Sequence, residues 1–309
     1  MILSIIIVSY NTAELTVQTV LSVEKSLEKK SLLKGNLEII VVDNDSKDSS
    51  VADLKNLKLP YLKIIANPNN DGFGAGNNLG LEKAKGDYVL FLNSDTIVQA
   101  GALDKMVDFY RQNENEKSLG LVASMLLNPN KTVQGQGGDK PSLFTVASQW
   151  LFWDDIPLIG KLLPSTQHTG SRAKLSEKRG FVEKGWVGGT AVMCSRSLIN
   201  KIGAWDKKIF MYGEDVELCL RANLAGYKNG IYVPSKIVHY GCASSSSKNA
   251  ILGEIRGLLY LWSKYFPKWQ LKVLKLILRF GCNLRILLYS IRGKENVVEI
   301  YKEGKDLLG

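Results

Sequence analysis

Short apolar runs and helix-period segments alternate through the first hundred residues. Leu3 to Ser9, Leu37 to Val42 and Tyr88 to Leu92 are nearly unbroken apolar runs, each followed by polar side chains. Runs of this length suit strands covered on both faces of a mostly parallel sheet. A weaker run, Tyr61 to Ile65, supplies another strand. After the first strand, Leu15, Val17, Val20, Leu21, Val23 and Leu27 recur at near-helical spacing. That spacing predicts a helix capped by Thr12, running to about Glu28 and burying those residues. Ser49-Ser50 opens a second, short helix. Strand, helix, strand, helix in this rhythm predicts an α/β fold: a Rossmann-like, mostly parallel sheet flanked by helices.

In open α/β sheets ligands bind outside the carboxyl ends of the strands, so the residues that stop each run carry the candidate chemistry. The run at Tyr88 stops on Asn93-Ser94-Asp95, and the run at Leu37 stops on Asp43-Asn44-Asp45. A carboxylate beside two small oxygen-bearing side chains suits a hard divalent cation that bridges phosphate oxygens. The same three residues would also make an Asx turn. Asp43 is placed to accept hydrogen bonds from a ribose or base, or to serve a turn. Between these ends, Asn67 to Asn78 is rich in glycine and opens a helix. Closely spaced glycines let a backbone approach a ligand, and the helix amides attract anions. No GxGxxG follows the first strand and no GxxxxGK[ST] exists in the chain, which weighs against NAD and P-loop chemistry.

Composition narrows the choice. With 309 residues, 45% of them hydrophobic, the chain can bury a full core. The four cysteines (Cys194, Cys219, Cys242, Cys282) form no CxxC pair, so a reducing compartment is expected. Only His168 and His239 are present, which excludes a His-rich zinc site. The amino terminus runs straight into a strand without a charged n-region, so no signal peptide is expected. Net charge is +10, and the region from Lys248 onward holds twelve Lys or Arg against five Asp or Glu. Such a tail attracts anionic surfaces.

Between Leu127 and Gly185 the regular pattern breaks down. A loop-like Gln134-Gly135-Gln136-Gly137-Gly138 precedes Trp150-Leu151-Phe152-Trp153-Asp154-Asp155, whose rings could stack on sugars, or belong to a core helix from Leu143 to Phe152. Residues 244–247 suggest a flexible link. After it, Lys268, Lys272, Lys275 and Arg279 align on one face of a helix beginning at Pro267. Charges at every turn argue against a spanning helix and for a basic amphipathic helix in a membrane interface. The alternative is a helix docked on the protein with its lysines in water. No groove-reading motif accompanies the charge, so nucleic acid is not an expected partner.

Taken in order, Ser9-Tyr10-Asn11, Val42-Asp43-Asn44-Asp45-Ser46, Asn70 to Asn78 and Leu92-Asn93-Ser94-Asp95 resemble family 2 glycosyltransferases of the GT-A fold. The resemblance continues through Gly188-Gly189-Thr190-Ala191, Phe210 to Arg221 and His239-Tyr240-Gly241, so it covers roughly residues 1 to 245. It is nearest to the rhamnosyltransferase-like branch that builds bacterial surface polysaccharides.

The resemblance implies a GT-A catalytic domain over 1–243, with a nucleotide-binding half (1–100) and an acceptor half (101–243). A basic helical segment would follow over 244–309. It implies a nucleotide-diphosphate sugar donor, with dTDP-rhamnose the best match and a UDP-sugar the alternative, and a glycan or lipid-linked acceptor. The expected location is the cytoplasmic face of the membrane, held peripherally. Ser9, Tyr10, Asn11, Asp43, Gly72, Phe73, Gly74, Asn77, Asn78, Asn93 and Ser94 would cradle the nucleotide. Asp95, with Asn93 and His239, would hold Mg²⁺ or Mn²⁺ on the diphosphate. Asn93 stands where a fuller motif has a first Asp, which weakens the charge of that set. Trp186, Gly188, Gly189 and Thr190 would meet the donor sugar or acceptor.

Inverting transfer needs a base for the acceptor hydroxyl, and Asp215 is the candidate. It lies near the start of a helix reaching about Ala225, with Val216, Leu220, Leu224 and Cys219 expected on the buried side. The positive helix end is expected to hold its carboxylate in the charged form. Glu214, its catalytic neighbour, points about 100° away around the helix and cannot share that role. A sugar nucleotidyltransferase would carry basic residues in a glycine-rich loop after the first strand, where this chain has Ser9-Tyr10-Asn11-Thr12-Ala13-Glu14. A silent scaffold would not need both Asp95 and Asp215.

Overall fold

The computed structural model describes residues 1–168, 180–241 and 247–309. The amino-terminal runs form β1 (Leu3–Ser9), β2 (Leu37–Asn44), β3 (Leu62–Asn67) and β4 (Tyr88–Asn93). Helices α1 (Ala13–Ser26), α2 (Ser50–Asn56) and α3 (Phe73–Lys83) connect them. All four strands are parallel, in the order β3-β2-β1-β4. The order reverses at β1, which places the ends of β1 and β4 at a topological switch point where such sheets open a crevice.

The chain continues through β5 (Thr96–Val98), α4 (Ala102–Lys117), β6 (Leu119–Leu127) and α5 (Leu143–Trp150). Then follow β7 (Phe181–Lys184), β8 (Ala191–Ser195), α6 (Arg196–Ile202), α7 (Glu214–Leu224) and β9 (Lys228–His239). β8 runs antiparallel to both β4 and β6, so the sheet becomes mixed beyond β4. Its path is β3-β2-β1-β4-β8-β6-β9-β5, with β7 on β9. Alternation along the strands divides the core in two. Ile5, Ile7, Val41 and Leu90 pack under α1 and α4, whereas Ile6, Val89 and Phe91 pack under α3, α6 and α7.

Two expectations about helix faces need correction. Thr12 stands before α1 but makes no side-chain cap, and the buried face of α1 is half hydroxyl: Thr16, Thr19, Ser22 and Ser26 beside Val20 and Val23. Leu15, Val17, Leu21 and Leu27 are only partly covered. The reason is what α1 packs on: its inner face meets loop backbone after β4, which needs donors and acceptors rather than methyl groups. On α7, Leu220 and Cys219 are buried, but Leu224 overhangs the last turn and is exposed. A fully buried Glu217 takes an inward position instead.

The tail forms α8 (Ser247–Tyr265), α9 (Lys268–Ile291, with Pro267 at its amino-terminal boundary) and α10 (Glu295–Asp306). These helices and α5 build a third core around Trp150, Ile255, Trp262, Leu274, Leu278 and Tyr301, which reaches Leu220 of α7. α9 is therefore docked through one face. Of the expected link at 244–247, Ser247 instead opens α8, while residues 244–246, the division at 243/244 and Cys242 lie outside the described residues. The other three cysteines are free and buried.

Candidate active site

A cavity of about 580 Å³ opens at the carboxyl ends of β1 and β4. It is lined by Asn93, Ser94, Asp95 and His239, together with Asp215, Glu214, Trp186, Gly189 and Thr190. Gln149 of α5 and Ile251, Glu254, Leu258 and Leu261 of α8 line it as well. The cavity volume is within the range typical of small-molecule sites.

Asn93-Ser94-Asp95 is held from below by α1. The Thr19 hydroxyl donates to the carbonyls of Ser94 and Thr96 (both 2.8 Å) and accepts from the Thr96 amide (3.1 Å). Thr12 and Ser94 pair their hydroxyls at 3.1 Å, and Ser22 accepts from the Val98 amide. This hydroxyl stack is the part of the site that sequence reasoning missed. Its signal was polar residues at helical spacing (12, 16, 19, 26) where the methyl-bearing positions drew the eye.

Antiparallel pairing of β5 with β9 sets Thr96 opposite His239 and brings the imidazole to Asp95. His239 Nε2 lies 3.3 Å from Asp95 Oδ1. The Gln134 amide donates to Asn128 Oδ1, so its oxygen faces His239 Nδ1 at 2.7 Å. With Nδ1 donating to that oxygen, Nε2 is the ring nitrogen turned toward the carboxylate. Two acceptors at that distance call for a proton or a cation between them. Asn93 Oδ1 is buried with no partner. Among the described residues no three His, Cys, Asp or Glu converge on one point, so a divalent cation beside Asp95, His239 and Asn93 would need ligand oxygens or water to complete its shell.

Asp215, in the first turn of α7, is pinned by two backbone amides: Val216 donates to Oδ1 (2.8 Å) and Gly189 to Oδ2 (3.2 Å). Burial raises its pKa and outweighs these amides, opposite to the expected stabilisation of the charged form. Glu214 is raised too, by burial and then by the Asp215 charge, and its Oε2 is buried without a partner. The turn before α7 is tight: Tyr212 and Gly213 both have positive φ, at +71° and +101°.

The other predicted residues divide. Asp43 is buried, accepts from the Ser46 amide through Oδ2 and leaves Oδ1 unpartnered at the strand end. Tyr10 is exposed beside it, and Asn11 ties the loops after β1 and β2 through Ser46 and Lys47. Phe73 lines the cavity. Ser9, by contrast, is fully buried and bonds Thr12 and Thr16. Asn78 exchanges two hydrogen bonds with the Trp205 backbone, and Asn77 donates to the Phe73 carbonyl. A Cβ at Gly72 would meet the Phe210 carbonyl at 2.3 Å, and one at Gly74 the Trp205 side chain at 3.2 Å. These two glycines meet protein, not open crevice: small size here lets α3 and the 205–210 loop close together. Gly188 sits beside Asp215. Trp186 fixes its indole on the Thr166 carbonyl.

Residues 4–147 match the family model described as glycosyl transferase family 2. Over that stretch, a little under half of its length, the chain is similar to family 2 glycosyltransferases. An uncharacterized glycosyltransferase of Haemophilus influenzae is 37% identical over 98 residues, covering 31% of this chain and 39% of that protein. The chain thus spans well under half the length of that relative. An N-acetylglucosaminyl-diphospho-decaprenol L-rhamnosyltransferase of Mycobacterium tuberculosis is 24% identical over 227 residues, 69% of each chain. Two solved structures share the fold. GalNAc-T7 with UDP, GalNAc and Mn²⁺ superposes with a TM-score of 0.60 at 16% identity, over 87% of this chain and 49% of that one. S. aureus TarS 1-349 with UDP-GlcNAc gives 0.55 at 15% identity, over 99% and 91%.

The tail joins the site through α7 and α8. Glu217 binds Arg221 (2.8 Å), Lys264 (2.7 Å) and the Tyr265 hydroxyl (2.5 Å), so α8 is locked to the helix that carries Asp215. Gly253 and Gly257 of α8 abut the Tyr212-Gly213 turn, where a Cβ on Gly257 would lie 2.6 Å from the Tyr212 carbonyl oxygen. Glu254 projects into the cavity with Gln149 at 2.8 Å, and burial raises its pKa.

Proposed function

We propose that this protein is an inverting glycosyltransferase that moves a sugar from a nucleotide-diphosphate donor to a glycan or lipid-linked acceptor. The observation that carries the reading is one cavity lined both by Asn93, whose side-chain oxygen has no partner, with Asp95 and His239, and by the amide-pinned carboxylate of Asp215. The acceptor hydroxyl attacks the anomeric carbon and the carbon–oxygen bond to the diphosphate breaks. The proton goes to Asp215 and the nucleoside diphosphate departs. A raised pKa makes Asp215 the stronger base for that transfer. Mg²⁺ or Mn²⁺ held by Asp95 and His239, with Asn93 beside them, would neutralise charge on the leaving diphosphate. Asp43 and Tyr10 would meet the nucleoside, and Trp186 and Gly189, which line the cavity, the sugars. Residues 1–243 would form the catalytic unit, with the tail completing the acceptor end.

L-rhamnose from dTDP-rhamnose is the preferred donor, supported by the name of the mycobacterial relative. A UDP-sugar is the alternative. An acceptor of the lipid-linked class would bring the protein to the cytoplasmic membrane face; among the described residues no helix is long and apolar enough to cross a membrane.

The test is thermal shift with dTDP, UDP, GDP and CMP, each with Mn²⁺ or chelator. Nucleotide at a hundredfold excess over Kd is expected to add about 2.7 kcal/mol of stability. Asp95→Ala is expected to abolish the metal-dependent part. A response to dTDP alone supports rhamnose, and a response to UDP moves the donor to the alternative. Folded protein that responds to none of them overturns the reading.

A further inference from the structure

α9 has two apolar faces and only one of them is packed. Leu274, Leu278, Gly281 and Cys282 face inward against α5, α8 and α10. Opposite them, Trp269, Val273, Leu276, Phe280, Leu287 and Ile291 stand in solvent, with Leu276 64% and Ile291 77% exposed. At about 100° per residue these six fall within an arc of about 60°, centred across the helix from the packed face. The stripe runs nearly the full length of the helix, from Trp269 to Ile291. Along one flank of it lie Lys268, Lys272 and Arg279, all exposed. α9 contains five Lys or Arg and no Asp or Glu.

We propose that this outer stripe of α9 is a docking surface for an anionic lipid bilayer, used while the helix stays packed on the protein. Large apolar side chains along a ridge beside a row of cations match the two layers of such a surface: acyl boundary and anionic headgroup. A tryptophan at one end suits the interfacial depth. A second copy of this chain fits less well, because pairing two such faces would bring cationic flanks together with no acid on either helix. The surface also has a fixed relation to the site. Arg285 of α9 donates to the Trp150 carbonyl of α5, and the neighbouring Gln149 lines the cavity. Docking would therefore hold the acceptor end of the cavity close to the lipid. This deepens the lipid-linked acceptor reading and rests on it only for its purpose, not for the binding itself.

The experiment is co-sedimentation of the full chain with phosphatidylcholine vesicles, with and without phosphatidylglycerol. Wild type is expected to bind the phosphatidylglycerol vesicles, to ignore pure phosphatidylcholine and to weaken with added salt. Leu276→Asp/Phe280→Asp and, separately, Lys268→Glu/Lys272→Glu are each expected to weaken binding at least about tenfold. All four positions are exposed, so melting temperature and the nucleotide-induced shift are expected to stay at wild-type values. Wild type that fails to bind anionic vesicles overturns the proposal, as do variants that bind like wild type. So does a wild-type dimer that Leu276→Asp/Phe280→Asp dissociates. A normal nucleotide response without vesicle binding would sink the docking surface and leave the transferase standing.

Discussion

Asp215 shows how a short backbone constraint and a buried setting tune one carboxylate. Its two oxygens accept from different chain segments, the Gly189 loop and the first turn of α7, so the side chain has little freedom to turn. Burial then raises its pKa above that of an ordinary carboxylate. A base works only when deprotonated, so activity should fall on the acid side at a pH above the usual aspartate value of about 3.9. Asp215→Asn puts an amide donor against one of the two N–H groups and removes the proton acceptor. It is expected to lower kcat by about 10²- to 10⁴-fold and to erase the acid limb of the profile, while nucleotide stabilisation persists. Loss of nucleotide response in the same variant would mean that Asp215 serves donor binding rather than proton transfer.

At the scale of elements, the turn before α7 is shaped by a helix far along the chain. Tyr212 and Gly213 take left-handed backbone angles, and α8 approaches them through Gly253 and Gly257. A branched side chain at 257 has no room, since even a Cβ would lie 2.6 Å from the Tyr212 carbonyl oxygen. Gly257→Val is expected to lower stability by about 1–3 kcal/mol, read by urea unfolding, and to lower turnover by shifting Asp215. Full turnover with reduced stability would show that the turn tolerates movement. The same junction marks the limit of reading from sequence. The strands and their acidic ends were legible because apolar runs and the residues that stop them are local. The glycines after Asn70 were visible but their partners were not, because Gly72 and Gly74 meet Phe210 and Trp205 from a distant loop. The tie between Glu217 and Lys264 was equally hidden, since only the fold makes a buried carboxylate in α7 meet a lysine of α8.

Over the whole molecule, the tail acts as part of the α/β unit's structure as well as its edge. α8 lines the cavity, and its last turn is moored by charge to the segments around α7. Lys264 binds both Glu217 and Asp206 at 2.7 Å, and the Tyr260 hydroxyl donates to Asp206 at 2.6 Å. Burial alone would raise the Asp206 pKa, but the hydrogen bonds from Lys264 and Tyr260 prevail and hold it down to about 2. An aspartate depressed in the folded state contributes stability that is fully present above its unfolded value of about 3.9. That contribution is lost as pH falls from there toward about 2. Urea unfolding of wild type should therefore weaken between about pH 4 and pH 2 more steeply than unfolding of Asp206→Asn, which lacks the titrating group. The loss should appear first where α8 meets the 205–210 loop, so hydrogen exchange in α8 should rise before exchange in β1 and β4. Equal acid sensitivity in wild type and Asp206→Asn would show that the tail is held by its apolar core alone, around Trp262 and Leu278, and that the charged mooring adds nothing to the fold.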